Sequence, residues 1–436
     1  MAIRENLKAN IAGWPYWLTS VLAALAAFGA YSCMYAFRKA FAAGTYTDQS
    51  FMKVDYKVWL VIAQVIGYTL SKFYGIRFIA ELKGKSRGLT ILLLVGSAWM
   101  ALLGFALVPA PYNIFFLFLN GFPLGLIWGL IFGYLEGRRS TEFMASVLSI
   151  SLIFGSGFVK TVGQTLIHSY QVSEYFMPFI AGALFVLPLA GFVFLLDLMP
   201  LPTAQDKLMR TERKPMNAKE RKQFILRFLP GIILTLLIYV LLTVMRDIRD
   251  NFEVEIWDSI GIKDKNIYAK IDGRISIVVL FAMSLLFLIK KNLKAFSVIH
   301  LLIIGGCILI GTSTLLFTAH VINPVTWMTM AGLGLYLGYI PYNAIFFERM
   351  IATFHVKSNV GFVMYLADSI GYLASVSVLL VKEFGRPNIS WGTFFIEGIG
   401  VVAVVGTICS ILSLIYFYQS ARRNNSTHHN LKFSTI

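Results

Sequence analysis

Charge is scarce in this chain of 436 residues. Asp, Glu, Lys and Arg make up only 14% of the sequence, whereas a soluble domain has about a quarter. Two long stretches, Leu89–Leu135 and Ala295–Phe347, contain none of these charged residues. One membrane-spanning helix needs about 20 apolar residues, so each stretch has room for two spans and a turn. The scarcity of charge excludes an ordinary soluble domain and predicts a multi-pass membrane protein.

Cysteine is nearly absent as well. The three cysteines, Cys33, Cys307 and Cys409, all lie in apolar stretches. This pattern excludes a disulfide framework or a cysteine-based metal site. The six histidines are dispersed, apart from His428 and His429 in the polar tail, and the acids within apolar stretches are far apart in sequence. We therefore expect no enzyme activity, no metal site and no cofactor.

Apolar stretches of spanning length recur along the chain. They predict an all-α membrane protein whose twelve transmembrane helices form two six-helix bundles. The predicted spans lie near residues 15–42, 57–79, 89–109, 112–135, 143–168, 175–198, 229–247, 269–289, 295–319, 325–347, 358–381 and 393–420. A polar, basic segment separates the sixth span from the seventh. The predicted organisation is an N-terminal bundle over 1–200, a basic cytoplasmic linker over 201–228 and a C-terminal bundle over 229–436.

Positive charge lies on one side of the predicted spans. The loops after the second, fourth, sixth and eighth spans carry lysine and arginine, and the turns after the third and ninth carry no charge. Cytoplasmic loops are enriched in these cations, so both termini should face the cytoplasm and the protein should reside in the cell (inner) membrane. The acidic segment with Glu253, Glu255, Asp258 and Asp264 should be external. Membrane orientation accounts for the net charge of +16, so we expect a lipid bilayer and no nucleic acid as partner.

The two halves of the chain are weakly similar. The fourth and tenth predicted spans both contain several glycines and end on a glutamate that an arginine follows closely: Glu136 with Arg138, and Glu348 with Arg349. Internal similarity of this kind predicts two bundles related by a pseudo-two-fold axis along the membrane normal, with a binding site between them. The charges at the span ends fit cytoplasmic gates or loops.

Cations within the predicted spans are informative because a charge in the bilayer is costly and normally faces a polar cavity or a partner. Arg38 and Lys39 lie near the outer end of the first span. Adjacent helical residues point about 100° apart, so we expect only one of the two to face a cavity. Lys72 lies well inside the second span and Lys160 lies in the fifth. A position at the membrane interface is an alternative for Arg38 and for Lys160.

The seventh and eleventh spans contribute further charges. Arg246 and Arg249 lie at the end of the seventh span. Arg246 and Asp250 are four residues apart, so they can satisfy each other on a helix. Asp368 is a lone acid in the eleventh span. It can act as a counter-charge to a cation on another span or as a proton acceptor, and the sequence leaves both roles open.

Taken together, these features resemble the major facilitator superfamily. The loop between the second and third spans is similar to a degenerate form of that superfamily's signature. It runs from Gly75 to Arg87 and includes Glu81, Lys83 and Lys85.

Within the superfamily, the chain is most similar to the organophosphate:phosphate antiporters or to an uncharacterised bacterial branch near them. The stretch Tyr35-Ala-Phe-Arg38-Lys39-Ala-Phe41 is similar to their first helix, and Ser71-Lys72-Phe73 is similar to their second.

The resemblance implies which residues bind substrate. In the antiporters, arginines of the first and seventh helices hold a phosphoryl group and a lysine of the second adds positive charge. This implies Arg38 and Lys72, with Arg246 as the first choice on the seventh span and Arg249 as the alternative. The antiporters' histidine on the fifth helix falls near Gly155 here, so its function is missing or supplied elsewhere. The cytoplasmic gate or loop residues expected here are Glu81, Lys83, Lys85, Arg87, Glu136, Arg138, Glu348 and Arg349.

The sequence therefore predicts a monomeric secondary active transporter that moves a small organic anion, phosphorylated or not, by alternating access. Arginine presents a planar fork of donors that suits an oxyanion, and lysine supplies a compact charge. Two alternatives stay open. One is a proton-coupled carrier of a neutral or cationic solute that uses Asp368, and the other is a non-transporting membrane sensor on the same scaffold.

Overall fold

The computed structural model describes residues 2–81, 87–202, 206, 218–264, 266–354, 360–385 and 388–433. These residues are almost entirely helical, and the strands among them form one short antiparallel hairpin between β1 (Ser50–Phe51) and β2 (Val54–Asp55).

The helices follow one another with short connections. From the N-terminus they are α1 (Ala2–Ala12), α2 (Tyr16–Arg38), α3 (Tyr56–Glu81), α4 (Arg87–Leu107), α5 (Ile114–Leu124), α6 (Ile127–Leu135), α7 (Thr141–Tyr170), α8 (Met177–Leu198) and α9 (Ala218–Arg227). They continue as α10 (Leu229–Ser259), α11 (Ile267–Phe287), α12 (Asn292–Thr318), α13 (Pro324–Pro341), α14 (Phe347–Phe354), α15 (Val360–Gly385), α16 (Trp391–Val401) and α17 (Thr407–Phe433). A short 3₁₀ segment, Ala40–Ala43, follows α2.

Many of these helices carry apolar faces that the protein does not cover. Among the described residues, eight helical segments are long and apolar enough to cross a membrane. In α4 and α8 only 33% and 28% of an apolar stretch of 18 residues is buried. Leu93 and Leu187 in these helices are largely exposed. Exposed apolar faces of this extent require an apolar environment outside the protein. The prediction of an all-α membrane fold is confirmed, whereas the number of twelve spans stays a prediction.

The chain forms two compact units. The first contains Met1–Arg210, Asp247–Leu280 and Tyr372–Phe395, and the second contains Thr211–Arg246, Phe281–Gly371 and Ile396–Ile436. In the first unit α2 packs against α7 and α8, and α3 and α4 pack against α5. In the second unit α12 packs against α13 and α17. The division into bundles over 1–200 and 229–436 with a linker over 201–228 stays a prediction.

The fourth, tenth and twelfth predicted spans are interrupted helices. The fourth is interrupted just after Pro123: α5 ends at Leu124, two residues follow, and α6 begins at Ile127. Proline lacks the N–H that an inner helical turn needs. The tenth continues from α13 through a π-helical segment, Tyr342–Phe346, into α14, and the twelfth contains a second π segment, Val402–Gly406. Such segments within α-helices occur frequently at functional sites.

The seventh helix is longer than the sequence predicted. A span near 229–247 and an external acidic loop were expected, but α10 runs to Ser259 with a kink at Phe252. Glu253 and Glu255 therefore lie in a helix, and Glu253 is fully buried. The prediction that they lie in an external loop is wrong because both carboxylates have lysine partners within the first unit and do not need water.

Glycines allow two helices of the first unit to pack backbone to backbone. A Cβ atom added to Gly121 of α5 would lie 2.2 Å from the carbonyl oxygen of Gln64 on α3, and one added to Gly67 would lie 2.3 Å from that of Phe118. No larger side chain fits at these positions without separating α3 from α5. The glycine-rich fourth span thus provides close helix packing.

Candidate functional site

Arg38 and Lys39 lie where α2 ends, and buried amides hold this end in place. The last carbonyl groups of a helix have no partner within the helix. Here the Asn120 amide donates to the carbonyl of Phe37 at 2.9 Å, and the Gln64 amide donates to the carbonyl of Arg38 at 2.7 Å. The backbone that carries both cations is therefore fixed by α3 and α5.

The 3₁₀ segment after Lys39 is held in the same way. Lys57 Nζ donates to the carbonyl of Ala42 at 2.9 Å, and the Gln164 amide donates to that of Ala43 at 2.7 Å. This explains why the chain stays buried and apolar beyond the two cations: side chains of α3 and α7 replace water as donors.

The Arg38 guanidinium is buried among aromatic rings. It is 4% exposed, and its Cζ atom lies 3.9 Å from the centre of the Tyr68 ring, a cation–π distance. Lys72 Nζ lies 5.2 Å from the same ring and 5.6 Å from the ring of Tyr372. The structure thus brings the two cations of the first unit to one tyrosine, and Arg38 does not extend to the membrane interface.

Arg38 is a buried cation with no acid in contact among the described residues. Among the described residues, no carboxylate lies within ion-pair distance of its guanidinium, and Nε has no hydrogen-bond partner. Lys39, Lys57, Lys160 and Arg249 each lie within 3.6 Å of a carboxylate oxygen. A buried cation without a counter-charge is unfavourable, so Arg38 is the position where an anionic ligand would gain most.

Lys39, in contrast to Arg38, contacts an acid. Its Nζ donates to the Asn251 side chain at 2.7 Å and lies 3.6 Å from Asp250 Oδ2. Asp250 also receives a hydrogen bond from Ser156 of α7. Lys39 is thus paired with α10, and the expectation that only one of the adjacent cations faces a cavity stays a prediction.

Lys39 belongs to a buried group of six charged residues that we call the charge network. It consists of Lys39, Lys160, Arg249, Asp250, Glu253 and Asp272, each no more than 2% exposed.

Two cations link the acids of the charge network. Lys160 Nζ lies 2.6 Å from Glu253 Oε2 and 3.6 Å from Asp250 Oδ1. Arg249 Nη2 lies 2.7 Å from Asp272 Oδ1 and 3.2 Å from Glu253 Oε1. Lys160 is therefore buried, and the expectation of an interfacial position for it is wrong because two acids of α10 compensate its charge.

Charge pairs also lie beside this network. Lys57 Nζ contacts Glu255 Oε1 at 2.5 Å, and Lys382 contacts its neighbour Glu383 at 2.7 Å. Glu383 accepts a hydrogen bond from the backbone N–H of Asp55, and burial raises the pKa of Asp55 above its ordinary value. The sequence analysis missed Lys57, Asp272 and these pairs. The four-residue spacing of Arg249 and Glu253 was a signal for one of the contacts.

Arg246 and Asp368 lie in the second unit around two tyrosines. The Arg246 Cζ atom lies 4.5 Å from the centre of the Tyr339 ring, and Tyr339 stacks on Tyr239 with ring centroids 5.6 Å apart. The Tyr239 hydroxyl donates to Asp368 Oδ1. Tyr339 lies one turn before the π segment of the tenth span, so an irregular backbone adjoins this aromatic group.

The gate and loop residues have separate positions. In the first unit Arg87 donates to the carbonyl of Gly133 at 2.7 Å, and Arg138 donates to that of Pro200. Burial lowers the pKa of Arg138 below its ordinary value. In the second unit Arg349 donates to the Asn292 side chain at 2.9 Å.

The remaining gate residues are less fully described. Glu136 caps the end of α6 and Glu348 lies in α14, both half-buried. Glu81 is the last residue of α3, but its side chain lies outside the described part of the chain, as do Lys83 and Lys85 entirely. Among the described residues, no three His, Cys, Asp or Glu side chains are placed to hold a metal ion.

The sequence matches the model of a protein family described as "Family of unknown function (DUF5690)" over residues 40–420. The chain belongs to this family. No curated protein matches the sequence. Among solved structures, the crystal structure of a D-xylose-proton symporter is similar, with a TM-score of 0.61 and 13% sequence identity over 92% of this chain and 97% of that chain.

The structural likeness shows that this member of the family has the fold of the major facilitator type, as the sequence predicted. At 13% identity the likeness concerns the fold alone. The finer resemblance to the organophosphate:phosphate antiporters stays a prediction.

Proposed function

We propose that this protein is a secondary active transporter that moves a small organic anion across the membrane by alternating access. The observation that carries the proposal is the Arg38 guanidinium, which is buried and has no carboxylate partner among the described residues. The fold supports the transport part, since a D-xylose-proton symporter shares it.

The chemistry of the site favours an anion. Arg38 can offer its fork of N–H donors to a carboxylate or phosphoryl group, while Tyr68 supports its face. Lys72, on the same tyrosine, adds a second positive charge. A bound anion would compensate the charge of Arg38, which no described carboxylate compensates.

We assign Arg246 rather than Arg249 to the same binding site. The Arg246 guanidinium lies 4.5 Å from the ring of Tyr339, in an aromatic environment like that of Arg38, and Arg249 belongs to the charge network through Asp272 and Glu253. Convergence of Arg38, Lys72 and Arg246 on one cargo is part of the proposal. The gate roles of the cytoplasmic arginines, the monomeric state and the cell (inner) membrane location with cytoplasmic termini belong to it too.

Transport by purified protein in proteoliposomes tests the proposal. Uptake of labelled inorganic phosphate, glycerol 3-phosphate, glucose 6-phosphate and succinate is measured for the parent and for Arg38→Ala. Each charge-assisted hydrogen bond contributes about 1.5–3 kcal/mol, so we expect the variant's apparent affinity to fall about 10- to 100-fold. Arg38→Lys keeps the charge but loses the planar fork, and its affinity should be intermediate.

Lys270→Ala is the matched control, because Lys270 is an exposed cation of α11. It should transport like the parent. Equal transport of the accepted anion by the parent and Arg38→Ala would refute the role of Arg38, and transport of only neutral solutes would refute an anionic cargo.

A second candidate is a proton-coupled carrier of a neutral or cationic solute. The observation that favours it is the hydrogen bond from Tyr239 to Asp368, an acid flanked by apolar residues in α15. In this case uptake of D-xylose or another neutral solute responds to an imposed proton gradient, and Asp368→Asn abolishes the response. Failure of every anionic and neutral solute would leave the third possibility, a non-transporting sensor.

A further inference from the structure

The charge network is unevenly divided between the helices that form it. α2 and α7 contribute Lys39 and Lys160, and both of these are cations. α10 and α11 contribute three acids, Asp250, Glu253 and Asp272, and Arg249 as their one cation within the network. The network is neutral when assembled. Separated, the α10–α11 side would carry a net charge of −2 and the α2–α7 side a charge of +2.

A separated α10–α11 side would favour protonation. Like charges held close together in a poorly solvated place disfavour one another's ionised form. Glu253 and Asp272 share the single guanidinium of Arg249, at 3.2 and 2.7 Å. With Lys160 removed from Glu253, one proton on this pair would offset half of the excess negative charge.

Each of the two carboxylates has one oxygen atom that accepts no hydrogen bond from a described residue, although one of them, Glu253 Oε1, lies 3.2 Å from Arg249 Nη2. The other is Asp272 Oδ2. Both side chains are fully buried. The charged groups that contact them are Lys160 of α7, which contacts Glu253, and Arg249 of α10, which contacts both acids. The Tyr268 hydroxyl of α11 lies near Glu253.

A cavity lies beside residues that neighbour these carboxylates in the chain. It has a volume of about 310 Å³ and opens at the end of the first unit that the topology predicts to be external. At about 30 Å³ per molecule it has room for about ten waters. Its wall includes Gln164, one turn beyond Lys160, and Val254, the neighbour of Glu253. Tyr268, one turn before Asp272, completes this side.

Resting on the proposed transport function, we propose that Glu253 and Asp272 form the proton-binding site that couples transport to a proton gradient. A proton from water in this cavity binds a carboxylate oxygen of the pair when α10 and α11 separate from α2 and α7, and it returns to water when the network reassembles. Acid on the cavity side therefore favours the separated form, because only that form binds the proton.

The proton-binding step is tested without any cargo. Infrared difference spectra of the reconstituted protein are recorded between about pH 8 and pH 5, a range that spans ordinary and raised carboxyl pKa values. Acidification should produce the C=O stretch of a buried, protonated carboxyl. Glu253→Gln and Asp272→Asn should each lose this component, and Asp272→Glu should retain it at a shifted position.

Two controls separate this pair from other acids. Asp48→Asn removes an exposed acid in a left-handed backbone position that asparagine tolerates, and Asp368→Asn removes the acid bonded to Tyr239. Both should keep the component. A parent protein without any protonated-carboxyl signal would overturn the proposal, and so would a signal that survives in both Glu253→Gln and Asp272→Asn.

Coupling is tested with the solute that the parent accepts among inorganic phosphate, succinate and D-xylose. We expect Asp272→Asn to lose the acceleration of transport by a pH gradient, whereas Lys270→Ala, which changes an exposed cation, should keep it. An unchanged gradient response refutes coupling at this pair. The infrared result does not depend on transport, so a protein that transports none of these solutes refutes the proposed function and leaves proton binding to be judged by the spectra.

Discussion

Lys160 is a residue whose charge the surrounding acids require. Its ammonium is fully buried between Glu253 and Asp250. Replacing it with methionine leaves these acids with less compensation, and breaking a buried charge pair costs about 3–5 kcal/mol. We predict a large drop in the thermal unfolding temperature of Lys160→Met in detergent, measured by intrinsic fluorescence.

Two further substitutions test whether the lost charge compensation causes the lower unfolding temperature of Lys160→Met. Glu253→Gln added to Lys160→Met should recover part of the loss, since the unpaired charge is then gone. Lys270→Met changes an exposed lysine and should leave the unfolding temperature near that of the parent. Equal losses for Lys160→Met and Lys270→Met would contradict the picture of a mutually dependent network.

The sequence identifies which single residues are unusual, but it does not identify the residues that they contact. The sequence indicated that Arg38, Lys39, Lys72 and Lys160 are unusual, because cations are rare in apolar spans. It could not indicate which cation meets which acid. Lys160 and Glu253 are 93 positions apart, and their contact depends on how helices of different halves pack.

At the scale of helices, Gly157 controls the approach of α7 to α11. A Cβ atom added there would lie 2.6 Å from Asp272 Oδ2 and 2.6 Å from the carbonyl of Tyr268. Overpacking of this kind costs about 1–3 kcal/mol. We predict that Gly157→Ala lowers the unfolding temperature and, in the infrared experiment, shifts protonation of the Asp272 pair to higher pH.

Gly96→Ala is the matched control for this helix contact. A Cβ atom at Gly96 of α4 meets open space, and alanine favours a helix over glycine by about 1 kcal/mol. The control should therefore be as stable as the parent or slightly more so. A destabilised Gly96→Ala together with a parent-like Gly157→Ala would show that the close contact is not rigid.

Helix bounds were predictable where a long apolar stretch defines the helix, and less predictable where the helix contains charged residues. α4 and α8 agree with the predicted third and sixth spans to within a few residues. α10 does not, because Glu253 and Glu255 looked like residues in water. Their lysine partners come from α7 and α3, and hydropathy along one segment contains no information about them.

At the scale of the whole molecule, the charge distribution predicts orientation, and reporter fusions can test it. Green fluorescent protein is fluorescent in the cytoplasm but dark when it is exported unfolded. Alkaline phosphatase is active only outside the cytoplasm. A fluorescent-protein fusion at the C-terminus should glow. A phosphatase fusion ending at Lys263, between α10 and α11, should be active, since basic loops stay inside.

The reverse fusions serve as controls. Phosphatase at the C-terminus and fluorescent protein after Lys263 should both be inactive. The opposite pattern would invert the membrane orientation, and the cavity beside Gln164 and Tyr268 would then face the cytoplasm.

The type of fold was within reach of the sequence, because spans, basic loops and weak internal similarity are properties of composition and order. The cargo is not within reach to the same degree. It depends on whether guanidinium groups from separate helices meet, and neither hydropathy nor the similarity of two halves determines that distance. Arg38 was identified as unusual, but only the structure shows that no described acid lies within ion-pair distance of it, while Lys39 lies 3.6 Å from Asp250 Oδ2.

Arg38 and Lys39 are joined by one peptide bond at the last turn of α2. One side chain lies where cargo is proposed to dock, and the other reaches the acids of α10. A displacement of the Arg38 backbone therefore also displaces Lys39. In the proposed transporter, binding of the anion at Arg38 and opening of the charge network at Lys39 are thus coupled directly through adjacent backbone atoms.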